Sequence, residues 1–150
     1  MKDAIEYLSA DLEIRIVNRK KALMEAIVSI SPQLFMKKNA LLKCDALLDI
    51  PLIYQGTIGK VTNIIVFQNN LYIRASLDHL AEEAFDVMNS GSMKYVSIEL
   101  SYQLARQKPD VRMLSPKKIN AFYLYKKYVE YFSPLMVVQE NRYIPYNQVL

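Results

Sequence analysis

The sequence predicts an α+β domain, and the middle of the chain carries the observations that predict it. Residues 57–68 are rich in β-branched side chains, and residues 71–77 return as a partner strand. The two asparagines between these segments accept the positive φ angles of a tight hairpin turn. Residues 76–91 follow with a helical pattern, and residues 93–103 with a third strand pattern.

The predicted helix has one apolar face and a capping residue at each end. Ser76 or Asp78 is a candidate N-cap, and the acidic residues of the first turns favour the positive end of the helix dipole. The segment 89–91, Asn-Ser-Gly, is typical of a helix end. The apolar face is formed by Leu77, Leu80, Ala81, Ala84, Phe85 and Met88.

The third strand pattern contains the serine on which the functional interpretation depends. Apolar residues alternate there with Tyr95, Ser97, Glu99 and Ser101. This period of two predicts one buried and one solvent-facing side, with Ser97 on the solvent-facing side. Such a serine is either a small surface residue or a nucleophile, and a nucleophilic serine needs a base within hydrogen-bond reach.

The first fifty residues have more ambiguous patterns. Residues 12–17 alternate like a strand, whereas residues 22–30 fit either a second strand or a continuing helix. Residues 39–50 have helical spacing with Asn39 as a candidate cap.

The last third of the chain predicts strands interrupted by prolines. Residues 119–132 and 135–139 are strand-like and are separated at Pro134. Pro145 makes a regular element at the end of the sequence unexpected.

Composition narrows the classes of protein. A chain of 150 residues with 52% hydrophobic and 23% charged residues predicts one folded domain, residues 1–150. The single cysteine, Cys44, excludes an internal disulfide, and no spacing of ligand residues indicates a metal site. The acidic amino-terminal segment is unlike a secretory signal, and the longest uncharged run, 61–73, is too short and polar to span a bilayer. We therefore expect a cytoplasmic protein.

The basic residues leave a nucleic-acid-binding function open. The net charge is +4, and lysines occur in pairs at 20–21, 37–38, 117–118 and 126–127. A nucleic-acid surface needs such lysines to cluster in three dimensions, and solvated lysines on a small domain show the same pattern.

The order of these segments resembles the prohead maturation proteases of tailed bacteriophages, serine peptidases that share their fold with the herpesvirus assembly proteases. The family pattern is an apolar strand ending in a catalytic histidine, a short loop, "Gly-Lys-Val", a hairpin, a helix, a glycine turn and the nucleophile strand. The matching stretches here are "IPLIYQGTIGKV", "NNLYIRASLDHLAEEAFDVMNSGSMKYVSIELSYQ" and "FYLYKKYVEYFSPLM". The resemblance covers roughly residues 50–136.

The resemblance implies roles for individual residues. Ser97 matches the nucleophile, while Gly91 and Gly59 match structural glycines of the turn before it and of the "Gly-Lys-Val" segment. At the histidine position, after "PLIY", this chain has Gln55 and Gly56. Since an amide cannot take up the serine proton, the resemblance implies a serine without its usual base.

Two further positions depart from the family pattern, and two kinds of residue are candidate substitute bases. Glu99 replaces the small glycine that usually follows the nucleophile segment, and Lys127 stands seven positions before Pro134, where the family often has a third catalytic residue. His79, the only histidine, lies in the first turn of the predicted helix, where the dipole favours its neutral form. A lysine, Lys127 or Lys60, is the other candidate base, because burial lowers the pKa of a lysine and allows its neutral amine to accept a proton.

The resemblance implies a mixed, mainly antiparallel sheet curled into a barrel and flanked by helices. It predicts a phage capsid-assembly protein of the prohead-protease type, in the host cytoplasm or the prohead interior. The missing histidine favours a domain without efficient cleavage that binds scaffold and capsid precursors or a second copy of itself, with no cofactor and no metal. The alternatives are an active serine endopeptidase with a relocated base, and a basic nucleic-acid-binding module.

Overall fold

The computed structural model describes residues 2–29, 49–67, 70–78, 82–104, 118–127, 136–139 and 142–145. Within these ranges the chain forms nine strands and one short helix. Seven of the strands close into a mixed β-barrel, so the domain is mainly β. The predicted α+β class with flanking helices is therefore wrong.

The elements are named in chain order. The strands are β1 (Lys2–Asn18), β2 (Leu23–Ser29), β3 (Ile50–Ile53), β4 (Thr57–Phe67), β5 (Asn70–Leu77), β6 (Tyr95–Leu104), β7 (Lys118–Tyr125), β8 (Met136–Gln139) and β9 (Arg142–Pro145). The helix, α1 (Glu82–Asn89), lies between β5 and β6.

The barrel closes because β1 pairs with strands at both ends of the sheet. The order is β2–β5–β4–β3–β7–β6–β1, and β1 also pairs with β2. Neighbouring strands are antiparallel except β3 and β7, which are parallel. β8 pairs with residues 4 and 5, near the start of β1, and β9 pairs with β8. Closure supplies hydrogen-bond partners to strand edges that an open sheet leaves exposed.

Residues 23–29 of the ambiguous segment form strand β2, which completes this closure. Met24, Ala26 and Val28 alternate into the barrel, and each is 0% exposed. Residues 2–11 of β1 pair with β6, and residues 12–18 pair with β2. A register shift in β1 next to residue 15 marks a bulge, which bends a strand as a small barrel requires.

The core fills the inside of the barrel with every second residue of its strands. The largest fully buried side chains are Tyr102, Phe122, Met24, Leu52, Leu71, Ile73, Met93, Ile98, Leu100 and Ile119. The hydroxyl of Tyr102 donates a hydrogen bond to Glu6 Oε1 at 2.9 Å, so this buried polar group has a partner. Each large apolar side chain buried here contributes about 1.5–3 kcal/mol.

The helix α1 packs its apolar side against the barrel. Ala84, Phe85 and Met88 are buried, as the helical pattern predicted. Arg19 in the β1–β2 turn lies over the Phe85 ring at 5.5 Å and forms ion pairs with two acidic side chains of the helix. The helix ends where predicted, because Gly91 has a φ of +74° and donates its N–H to the carbonyl of Met88.

Other predictions have mixed outcomes. The hairpin between β4 and β5 is confirmed, but Phe67 pairs with Asn70, so the connecting residues are 68 and 69 and Asn70 belongs to β5. Pro145 ends strand β9, contrary to expectation, at the end of an outer strand where its missing N–H is tolerated. Residues 39–48 of the helix predicted at 39–50 lie outside the described residues; Asp49 has a φ of +64° and Ile50 begins β3, so neither is helical.

Candidate functional site

Ser97 lies on the outer face of the barrel, near the start of β6. Its neighbours Val96 and Ile98 point into the core and are 1% and 0% exposed. Ser97 is nevertheless only 1% exposed, so the predicted solvent-facing position is wrong. Ile5 and Ala121, on the same outer face in the adjacent strands, are also buried. This part of the outer surface is therefore covered.

The hydroxyl of Ser97 is buried without a hydrogen bond among the described residues. Across the sheet, Ser97 pairs with Ser9 on β1 and with Tyr123 on β7. Leaving a buried hydroxyl without a partner costs about 1–3 kcal/mol. Most buried polar side chains in proteins have a partner, so this exception identifies the surroundings of Ser97 as the candidate site.

Glu99, two residues along the same face, is held by two tyrosines. The hydroxyl of Tyr7 donates to Glu99 Oε1 at 2.6 Å, and the hydroxyl of Tyr123 donates to the same oxygen at 3.3 Å. The two rings lie 6.3 Å apart with an angle of 57° between their planes. The carboxylate and both rings thus form one connected group beside Ser97.

A bulge next to Glu99 places one more polar pair at the site. The pairing of β6 with β7 shifts between Glu99 and Leu100, so Asn120 falls between two paired residues of β7. The Asn120 amide donates to the hydroxyl of Ser101 at 2.6 Å. Polar contacts thus continue along β6 beyond Glu99.

Gln55 and Gly56, at the family's histidine position, lie in a tight turn two strands away from Ser97. Ile53, just before this turn, pairs with Tyr123, which pairs with Ser97; two strand spacings amount to about 10 Å. Gln55 has a φ of +54° and Gly56 a φ of +126°, and both are exposed. A side chain at position 56 would therefore be strained.

The candidate substitute bases are not in contact with Ser97 in the described structure. Lys127 is exposed beyond the end of β7, four residues after Tyr123, a distance of about 13 Å along an extended chain. Lys60 is exposed and lies 3.9 Å from the carboxylate of Asp49. His79 lies outside the described residues.

The two glycines expected to be structural differ in their surroundings. Gly91 occupies the turn after α1 with a positive φ, and a Cβ there would meet nothing within 4 Å. Gly59, expected as the glycine of the Gly-Lys-Val segment, lies inside strand β4, where a Cβ would be 2.1 Å from the carbonyl oxygen of Ser76. The close approach of the β5 backbone thus explains why position 59 is a glycine.

A second polar cluster, which the sequence patterns did not reveal, lies on the outer face of β2 and β5. Glu25 accepts hydrogen bonds from Arg74 at 2.8 and 2.6 Å and from Tyr72 at 3.0 Å. The Arg74 bonds, followed by the Tyr72 bond, hold the pKa of Glu25 below its ordinary value, against the opposing effect of desolvation. The bond to Glu25 raises the pKa of Tyr72. Only the register, which sets Glu25 opposite Arg74, reveals the cluster.

A cleft of about 480 Å³ adjoins the candidate site at the start of β6. Asp11 and Tyr95, which pair across β1 and β6, line it together with Glu13, Met93 and Lys94. The Asp11–Tyr95 pair is two residues along the strands from the Ser9–Ser97 pair. The lining of the cleft therefore begins two residues along β1 and β6 from the Ser9–Ser97 pair.

Among the described residues, no three His, Cys, Asp or Glu side chains are arranged to hold a metal ion. Across those same ranges, no helix is both long and apolar enough to cross a membrane. The described lysine pairs at 20–21 and 126–127 are exposed but lie at the ends of different strand pairs.

Comparison of the chain with protein-family models, curated proteins and solved structures found no match. Functional inference therefore depends on the residues and on the geometry described above.

Proposed function

We propose that this protein is a phage capsid-assembly protein of the prohead-protease type that binds its partners without cleaving them efficiently. Its partners are scaffold and capsid precursors or a second copy of the chain. Ser97 marks the position of the nucleophile in this proposal, and Gln55 with Gly56 mark the position from which the base is missing.

The arrangement of the strands supports the proposal. Ser97 lies on β6, its neighbour Tyr123 lies on β7, and the turn containing Gln55 follows β3 on the far side of β7. Strands β3, β7 and β6, which belong to the segments that carry the resemblance, therefore lie side by side in the barrel. A base on the β3 turn and a nucleophile on β6 would face each other across a single strand.

The burial of Ser97, without a base among the described residues, supports the absence of efficient cleavage. This is the observation that carries the proposal. Ser97 is 1% exposed, and its buried hydroxyl has no hydrogen-bond partner, and so no base, among the described residues. A serine hydroxyl needs a general base to attack a peptide bond at neutral pH. Loss of one member of a catalytic triad lowers the rate by orders of magnitude, so binding is the function that such a site retains.

A labelling experiment tests the absence of cleavage. The purified chain and its Ser97→Ala variant are treated with a fluorophosphonate probe at high concentration, and labelling is measured by mass spectrometry. We expect equal background labelling of the two proteins and no self-cleavage. Labelling of Ser97, with self-cleavage that Ser97→Ala abolishes, would show an active peptidase instead.

A co-expression experiment tests the assembly role. The chain is co-expressed with each of the proteins encoded by the genes that flank its own, and complexes are isolated by size-exclusion chromatography. We expect a complex that contains this chain and at least one partner at its full length. Elution of the chain apart from every such protein would overturn the assembly role.

A further inference from the structure

Strand β1 changes partners along its length, and the cleft at the start of β6 lies where it does so. Residues 2–11 of β1 pair with β6, whereas residues 12–18 pair with β2 on the opposite edge of the strand. The ladder with β6 ends with the hydrogen bond that the Leu12 N–H donates to the carbonyl of Lys94 at 2.8 Å. Among the described strands, none lies beyond this point on the edge of β1 that faced β6.

The direction of the Leu12 N–H determines which backbone groups face this open edge. In an extended antiparallel strand, successive residues direct their N–H and C=O groups to opposite edges. Because Leu12 donates toward β6, the N–H and C=O of Ile14 face the same way, and those of Glu13 face β2. Ile14 precedes the bulge next to residue 15, so the alternation holds up to this position. Ile14 thus offers a donor and an acceptor to an added strand.

The cleft provides the space for such a strand. Its volume is about 480 Å³, within the range of ligand-binding pockets. Residues 11–14 of β1 line one side, and Gly91 with residues 93–95 line the other. A Cβ at position 91 would meet nothing within 4 Å, so the second wall leaves room beside it. A strand edge and an open space therefore lie next to each other.

The side chains along this edge alternate in polarity. Leu12 is buried and Ile14 packs against the core, whereas Asp11 and Glu13 are exposed on the outer face. Met93, which is 2% exposed, adds an apolar group to the second wall. An added residue opposite Ile14 should therefore be apolar. An added residue opposite Glu13 should be basic, because opposite charges on facing strands stabilise their pairing.

The charges already present leave the rim of the cleft acidic. The described lining residues carry two carboxylates, of Asp11 and Glu13, against one ammonium group, of Lys94. Glu13 forms an ion pair with Arg15 at 3.0 Å, but both side chains are more than half exposed. Exposed ion pairs contribute little to stability, so Glu13 can exchange Arg15 for a basic side chain of a ligand.

We propose that this cleft, which we call the β1 edge cleft, binds an extended peptide segment of a partner protein as an added strand. The segment runs antiparallel to β1, as β2 and β6 do, and forms hydrogen bonds with the backbone of Ile14. Apolar side chains alternate in it with basic ones. The inference rests on the proposed function in that it identifies the surface by which a binding domain holds its partner, but it requires no chemistry at Ser97.

Fluorescence anisotropy with two end-blocked, labelled heptapeptides tests the recognition. One peptide alternates valine and lysine, and the other alternates valine and glutamate. We expect the lysine peptide to bind saturably with a Kd below about 1 mM, and the glutamate peptide to bind at least about fivefold more weakly. A lysine peptide that shows no saturable binding, or one that binds no better than the glutamate peptide, would overturn the proposal.

Methylated peptides test the addition of a strand without altering the protein. In the proposed pairing the valine opposite Ile14 directs its N–H toward β1, and the lysines direct theirs away. N-methylation of the valine amides should therefore weaken binding at least about tenfold, whereas N-methylation of the lysine amides should leave it nearly unchanged. Strand addition is refuted if the first set of methyl groups has no larger effect than the second.

Amide hydrogen exchange, measured residue by residue with NMR, reports on the edge itself. In the free protein the Ile14 amide should exchange at least about tenfold faster than the Glu13 amide, which faces β2. The lysine peptide should slow exchange at Ile14 and leave Glu13 unchanged. Slow exchange at Ile14 in the free protein would show that the edge is already covered. Slowing caused by higher protein concentration alone would identify a second copy as the occupant, and either result contradicts the proposal.

Charge reversal locates the binding on the protein. Asp11→Lys combined with Glu13→Lys should reverse the preference from the lysine peptide to the glutamate peptide. Asp78→Lys combined with Glu83→Lys is the matched control, because it changes the net charge equally at exposed positions that do not line the cleft. The same shift in both double variants would exclude the β1 edge cleft as the site.

Failure of this inference and failure of the assembly role are distinguishable. Peptide binding at the cleft without any complex in the co-expression experiment would remove the assembly role alone. A co-expressed complex that persists in the Asp11→Lys, Glu13→Lys protein, together with absent peptide binding, would remove the cleft alone.

Discussion

Gly59→Ala tests whether close approach of two strand backbones determines the residue at the start of β4. A Cβ at position 59 would lie 2.1 Å from the carbonyl oxygen of Ser76 and 3.0 Å from Cα of Leu77. Both atoms belong to the backbone of β5, so no side-chain rotation relieves the contact. Because Cβ atoms essentially never come closer than 3.0 Å to another heavy atom, β4 and β5 must separate by about 1 Å at this pair.

The position of Gly59 in the barrel makes that separation costly. Gly59 pairs with Leu77 of β5 on one side and with Leu52 of β3 on the other, so moving it disturbs two strand pairs. Overpacking typically lowers the free energy of unfolding by about 1–3 kcal/mol. Because the contacting atoms belong to rigid backbone, we expect Gly59→Ala to lose about 3 kcal/mol. In a domain of this size the midpoint of thermal unfolding should fall by roughly 6–12 °C.

Urea denaturation followed by circular dichroism measures the loss, and Gly91→Ala is the matched control. A Cβ at position 91 meets nothing within 4 Å, so the control should lose only about 1–2 kcal/mol, because of its positive φ. Gly91→Asn should recover part of that loss, whereas Gly59→Asn should recover none. If Gly59→Ala is no less stable than Gly91→Ala, the steric explanation is incorrect.

Two further predictions concern the outer-face polar groups. Ser97→Ala removes a buried hydroxyl that lacks a hydrogen-bond partner among the described residues. The free energy of unfolding, measured by urea denaturation, should therefore rise by up to about 1 kcal/mol. A loss of stability would mean that the hydroxyl is hydrogen-bonded in solution. The lowered pKa of Glu25 means that its stabilising contribution is complete above its ordinary value of 4.5 and is lost as the pH falls through the lower pKa of the folded state. The raised pKa of Tyr72 means that its contribution is present below 10.0 and is lost as the pH rises through its folded-state pKa. Urea titrations across acidic and alkaline pH should show both declines in the parent, and Glu25→Gln should weaken both; pH profiles that the variant leaves unchanged would exclude this cluster as their source.

The candidate site could be predicted from the sequence only in part. The pattern around Ser97 gives its strand and its outward direction, because alternation is a local property. It does not give the burial of Ser97, because burial depends on how the folded chain packs around that face rather than on the strand's own residues. Tyr7 is 92 positions from Glu99 in the sequence, and nothing near either residue indicates that they meet.

Local patterns predicted most of the middle of the chain. The two strands of the β4–β5 hairpin, the end of the helix shortly before Gly91 and the strand containing Ser97 follow from spacing and capping residues within a few positions of each other. The predicted start of the helix is wrong, because Ser76 and Leu77 belong to β5. The type of each of these elements depends on residues close together in the chain, so it can be predicted before the fold is known.

Only the tertiary structure decided the closure of the barrel and the composition of the site. The pattern of residues 22–30 fits both a strand and a helix, and pairing of residues 23–29 with β1 and β5 selects the strand. The parallel contact of β3 with β7 joins segments about seventy residues apart, and it brings the Gln55 turn within two strands of Ser97. The physical reason is that a strand pattern specifies which side chains face inward, whereas the choice of partner and register depends on how the whole sheet closes.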